Sequence, residues 1–134
     1  MNLTLSPGIL DEIVEDAKRV YPKEGCGLIT GVAAEGRRFI SILNVAESPS
    51  EFEMDPVALI RELKSIRNAG EELVAIYHSH PHGPAAPSAM DIHQAYYPQA
   101  AHLIVSLADL KHPQTAAFRI TGQEVIAIEV HAIV

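Results

Sequence analysis

Leu73-Val74-Ala75-Ile76-Tyr77-His78-Ser79-His80-Pro81 is the stretch on which the fold turns. Its first six residues form a nearly continuous apolar run. That is the pattern of a strand covered on both faces, as in a layered α/β domain, and not of a strand with one side in water. Residues 81–87 follow, too rich in Pro and Gly to be regular. Working outward downstream, the pattern predicts a helix from Ser88 to about Tyr97, ended by Pro98, and then strands at 102–106, 115–120 and 124–130. Upstream, Asp55-Pro56 supplies a cap and a first-turn proline to a helix whose apolar stripe is Leu59, Ile60, Leu63 and Ile66, and Gly70 ends it. Residues 52–54 read as a short extended piece and 44–50, with Pro49, as a loop. Strands are predicted at 25–31 and 38–43, with a Glu35-Gly36 turn between them. A first helix is expected with Ser6 as N-cap and Pro7 at its first position, its buried face Leu10, Ile13, Val14, Ala17 and Val20, closed by Pro22. The whole implies a central mixed sheet with helices on both sides. Strand order does not follow from the pattern.

The 134 residues fit one domain and suffice for a self-sufficient core, with 48% apolar residues well spread. The formal net charge of −7, only 10 Lys and Arg, and no basic run argue against nucleic-acid partners and against an anionic membrane surface. The single cysteine, Cys26, cannot form an internal disulfide. No signal-peptide pattern opens the chain and no apolar run is long enough to span a membrane, so a cytoplasmic protein is expected.

Seven histidines are many for this length, and two have meaningful spacing. His78 and His80, two apart on a strand, point to the same face and can converge on one ion; two polar residues at a strand end is the plainer reading. Ser88-Ala89-Met90-Asp91 resembles a capping box, with an acid three residues after an N-cap serine. The same spacing sets the Asp91 carboxylate on the first turn of a helix, where it can face back to the strand end. Two His and one carboxylate would leave a zinc ion an open position for water. Glu24, between the first helix and the first predicted strand, is either a solvated charge or the base such a site needs, and Gly25 and Gly27 allow close packing there. Cys26 reads better as a small buried apolar residue than as a reactive thiol. His82 could line a groove or sit in solvent. His93, His102, His112 and His131 have no spacing that points to metal. Tyr96 and Tyr97 read as core and boundary residues.

These residues in this order resemble the JAMM metallopeptidases, also called the MPN-plus or Mov34/PAD-1 family. The shared pattern is a Glu after the first helix, then His-x-His, seven residues, Ser, two residues and Asp. Here it falls on Glu24, His78-Ser79-His80, residues 81–87, Ser88 and Asp91. The resemblance runs from about Leu3 to Val130, and no His-Glu-x-x-His or Pro-Cys-x-x-Cys competes with it. It implies a single domain over residues 1–134, a layered α/β/α sandwich with a central mixed sheet of the cytidine-deaminase-like kind. It also implies one zinc on His78, His80 and Asp91, Glu24 as general base, and Ser88 as oxyanion donor. The short bacterial branch is similar to peptidases acting after the C-terminal Gly-Gly of ubiquitin-fold sulfur-carrier proteins, so such a carrier is the expected partner. A non-catalytic MPN-type scaffold and a small-molecule amide hydrolase are the alternatives.

Overall fold

Four-residue spacing of Ile9, Ile13 and Ala17 places all three on one stripe, and that stripe is what α1 (Ile9–Val20) buries. The computed structural model that shows this describes residues 2–48 and 50–134; Met1 and Pro49 of the predicted 44–50 loop lie outside them. The elements are β1 (Asn2–Leu5), α1, β2 (Cys26–Val32), β3 (Glu35–Ile42), α2 (Pro56–Asn68), β4 (Glu72–His80), α3 (Ala89–His93), β5 (Ala101–Ser106), β6 (Gln114–Thr121) and β7 (Glu124–Ala132). The expected α/β domain with a mixed sheet is present. Its strands run in the order β1-β3-β2-β4-β5-β6-β7, and β1 pairs parallel with both β3 and β7, so the sheet closes on itself.

Alternation along β4 separates two apolar clusters. Ala75 and Tyr77 join Leu3, Leu5, Ile13, Leu103 and Val105 in the cluster that α1 covers. Ile76 joins Cys26, Leu28, Ile42, Met54 and Ile66 in the cluster under α2. The near-continuous apolar run thus reflects a strand buried from both sides.

Four expectations at element ends are corrected. Ser6 and Pro7 do not open α1; Gly8, with φ 83°, is its N-cap, while the Ser6 N–H still pairs with the Gly36 carbonyl. Residues 2–5 were expected in no element and form β1. The hairpin turn lies at Ala33-Ala34, with φ 54° and 64°, and not at Glu35-Gly36, which belong to β3. Gly36 is required for packing: a Cβ there would lie 2.5 Å from Ile29 Cγ2 and 2.8 Å from Leu5 Cδ2. Finally, α3 stops at His93, well short of Tyr97. At α2 the expected device is realised, with Asp55 Oδ2 accepting the Ala58 N–H and proline at the start of the helix.

Candidate metal centre and its base

The C-terminal end of β4 carries the centre. Ile76, His78 and His80 share one face of the strand, and Tyr77 and Ser79 take the other. β2 runs antiparallel with Cys26 opposite His78. The ladder continues to Gly25, whose carbonyl accepts the Ser79 N–H at 3.0 Å. One residue further back, just before β2 begins, the chain turns and presents Glu24 toward the same face. A carboxylate and two imidazoles 54 and 56 residues further along the sequence are thereby brought together; a Glu24 oxygen and one ring nitrogen from each of His78 and His80 lie within 4.8 Å of one another.

Asp91 arrives from α3. Ser88 is the N-cap and both bonds of the capping box are present: Ser88 Oγ accepts the Asp91 N–H at 3.1 Å, and Asp91 Oδ2 accepts the Ser88 N–H at 2.8 Å. The box aims the carboxylate back at β4, so the geometry that caps α3 also brings Asp91 to the two imidazoles. Asp91 Oδ2 stands 3.1 Å from His78 Nε2 and 3.0 Å from His80 Nε2, and the two nitrogens are 3.0 Å apart. Ligands at zinc bonds of 2.0–2.1 Å in a tetrahedron would be about 3.3 Å apart. Three inward atoms at that spacing fit one small cation, and the set leaves a fourth position. Glu24 forms a looser group with the same imidazoles, its carboxylate oxygen and their ring nitrogens within 4.8 Å of one another. His80 Nδ1 lies 2.8 Å from the Pro84 carbonyl, which fixes the proton on Nδ1 and frees Nε2 as a ligand.

The electrostatics follow from burial. Glu24 is 5% exposed and its Oε1 meets no partner among the described residues. Desolvation pushes its carboxyl up to about 7, with Asp91 and Glu51 adding to the rise and His80 opposing it. Burial would also raise Asp91, but hydrogen bonds with His78 and His80 outweigh it and hold that carboxyl well below the usual range. Full burial lowers the His78 imidazole. Burial works against protonation of His80 too, but Asp91 and the Pro84 carbonyl more than offset it and raise that ring.

A cavity of about 400 Å³ opens beside His78 and Asp91, walled by residues 51–54, Leu59, Ile76, Tyr97 and His102 among others. Phe52 stacks on the His78 ring, centroids 4.6 Å apart and planes 20° from parallel. Residues 81–87 line none of this cavity. They buttress His80, through Pro84 and through Gly83, whose carbonyl accepts from Ser106 Oγ at 2.6 Å. Cys26 is fully buried and its thiol pushed up to about 12 by desolvation first, as suits an inert apolar residue. His82 is exposed and packs edge-on against Tyr21. Exposed His93 stays outside the metal group, and His112 and His131 pair with surface acids. Spacing gave no hint of His102, which the parallel β4–β5 register sets beside Ile76. Nor did it hint at Asn44 and Ser79, which contact the Glu24–Gly25 peptide.

A small closed α/β domain with two strand-borne imidazoles, a helix-borne carboxylate and a buried second carboxylate has the donor set of a hydrolytic metal centre. Residues 6–121 match the Prok-JAB family, prokaryotic homologs of the JAB domain, and the chain belongs to that family. It is similar to a Thermus thermophilus protein named probable TtuB-protein conjugate cleaving protease, 46% identical over 89 residues, which are 66% of this chain and 60% of that one. It is also similar to the CysO-cysteine peptidase of Mycobacterium tuberculosis, 30% identical over 88% of this chain and 82% of the other. A protein of Desulfitobacterium hafniense solved in solution superposes with a TM-score of 0.86 at 32% identity, covering 99% of this chain and 93% of that one.

Proposed function

We propose that this protein is a zinc-dependent peptidase or isopeptidase that hydrolyses the amide bond after the C-terminal Gly-Gly of a ubiquitin-fold, sulfur-carrier-like protein. The observation that carries the chemistry is the meeting of His78 Nε2, His80 Nε2 and Asp91 Oδ2 within 3.1 Å, with the buried Glu24 carboxylate beside them. The substrate class is supported by the named activities of the Thermus and Mycobacterium relatives. His78, His80 and Asp91 are the residues that would hold one zinc ion. When bound, zinc supplies Lewis-acid polarisation and a water acidic enough to lose its proton near neutral pH. Glu24, buried beside the two imidazoles, is the group placed to accept a proton from an attacking water and to return one to the departing amine. Its burial keeps bulk water from levelling its basicity. Ser88 Oγ already accepts the Asp91 N–H, and its own proton is available to a developing oxyanion.

The cavity gives the tail its place. Residues 43–45 pair with 53–55 through the Val45 N–H to Glu53 carbonyl and Asp55 N–H to Leu43 carbonyl bonds. The segment thus braced forms a cavity wall that ends at His78 through Phe52. An extended Gly-Gly tail lies along it, main chain to main chain, without side chains to clear the metal centre. Residues 1–134 act as one catalytic domain in the cytoplasm; among the described residues no helix is long and apolar enough to cross a membrane.

Incubation with diglycine-tailed carriers bearing a C-terminal amino acid, followed by intact mass, tests the proposal. Loss of that residue from the carrier, abolished by a chelator and restored by zinc, is the expected result. Turnover of a small amide but of no carrier would move the activity to small molecules. No turnover of either by the zinc-loaded protein would leave a scaffold.

A further inference from the structure

The peptide unit that joins Glu24 to Gly25 is gripped on both of its polar edges by side chains. Asn44 Nδ2 donates to the Glu24 carbonyl at 2.9 Å. The Gly25 N–H donates to Ser79 Oγ at 2.7 Å, in a buried bond. Regular pairing would satisfy this peptide with main-chain partners; here two side chains do so where β2 leaves its ladder and the chain turns to present Glu24. A peptide plane fixed at its C=O and its N–H has little freedom to rotate, and the side chain of the residue before it inherits that rigidity.

Each gripping residue is itself held. Asn44 Oδ1 accepts the N–H groups of Ala46 and Glu53, both at 2.9 Å, so one amide ties Glu24 to the wall of the cavity. Ser79 sits between the two ligand histidines but on the opposite face of β4, fully buried. It neighbours the Tyr77 phenol, which donates to the buried Asp16 carboxylate at 3.1 Å, and Asp16 also accepts from Ser41 Oγ at 2.6 Å. Gly25 must be glycine for this to fit, because a Cβ would lie 2.4 Å from the Tyr77 hydroxyl oxygen.

We propose that Asn44 and Ser79 are positioning residues of the general base, clamping the Glu24–Gly25 peptide so that the carboxylate stays aimed at the metal centre. The inference rests on Glu24 being the base. Neither residue touches substrate or metal in this role. Small misplacement of a catalytic group can cost about a hundredfold in rate, so the clamp has something to protect.

Two substitutions cut the clamp, one on each edge of the peptide. Ser79→Ala removes the acceptor of the Gly25 N–H. Asn44→Asp keeps acceptors for Ala46 and Glu53 but replaces the amide nitrogen that donates to the Glu24 and Glu51 carbonyls with an oxygen. Each is made alone and on a Glu24→Gln background, and kcat, KM, zinc content and amide exchange at Gly25 are measured on a diglycine-tailed carrier. Alone, each lowers kcat by about tenfold or more at near wild-type KM and full zinc, and Ser79→Ala speeds exchange at Gly25. On the Glu24→Gln background the same changes alter kcat by less than about twofold, because the group they serve is gone. An equal fold loss in both backgrounds, or an unchanged kcat in the single variants, overturns the clamp while leaving the base in place. Wild-type turnover by Glu24→Gln itself removes the base, and the clamp with it; either clamp variant alone decides if the other fails to fold.

Discussion

Glu24 occupies a place where an ionised carboxylate is costly without a cation. Its pKa rises from 4.5 to about 7, chiefly through burial, and the sign of the resulting pH dependence is fixed. Below 4.5 the group is protonated folded and unfolded and contributes nothing. Between 4.5 and about 7 only the unfolded chain ionises, so stability of the zinc-free protein falls as pH rises. Glu24→Gln removes that loss. Urea unfolding of the zinc-free proteins should show the variant more stable at pH 8, by on the order of 1–3 kcal/mol, and little different at pH 4. A variant less stable at pH 8 would mean that Glu24 is better solvated than its burial indicates. The ligands behave differently. His80→Ala should lose zinc by elemental analysis and with it all turnover, and Asp91→Asn should loosen the ion by removing a charged ligand. Full zinc in His80→Ala would displace the ligand set.

At the scale of elements, α3 is short and its cap does two things. Ser88→Ala removes the acceptor of the Asp91 N–H, at a cost of about 1 kcal/mol typical of a lost N-cap. Because the box also orients Asp91, zinc affinity should fall by about tenfold or more, as for other residues that orient a ligand; a zinc titration with a competing chelator reads this, and unchanged affinity would remove Ser88 from the orientation of Asp91. Much of the centre was legible in sequence because its spacing is local: His78 and His80 lie two apart on a strand, Ser88 and Asp91 three apart on a first turn. The clamp was not, since Asn44 and Ser79 reach the Glu24–Gly25 peptide across 20 and 54 residues. Helix α2 was read well from Asp55-Pro56 because capping is chemistry of adjacent residues. The hairpin turn was misplaced because glycine marks turns in general, while here Ala33 and Ala34 adopt positive φ and Gly36 serves close packing. Strand β1 was missed because four residues carry too little periodicity; parallel pairing with β3 and β7 defines it.

For the whole molecule, closure of the sheet and two apolar clusters supply a core that does not depend on metal. Chelated protein should keep its far-UV circular dichroism and melt at a lower temperature, by the margin that binding adds through mass action. A random-coil spectrum on chelation would make zinc a folding element, as in a zinc finger. Leu3 and Leu5 of the closing strand are fully buried, so either one cut to Ala should cost about 2–5 kcal/mol in urea unfolding. A cost below 1 kcal/mol would show that closure contributes little. The architecture therefore gives a rigid strand end on which the proposed ligands and base are held before substrate arrives.

The central claim is that this strand end is a zinc peptidase centre in which Glu24 moves the proton and does not bind the metal. The most direct measurement pairs zinc content with single-turnover cleavage of a diglycine-tailed carrier by Glu24→Gln protein. The account predicts one zinc per chain and a rate lower by about 10²–10⁴-fold, the usual cost of losing general acid–base catalysis. Wild-type cleavage at full zinc would contradict the base, and loss of zinc from the variant would make Glu24 a ligand.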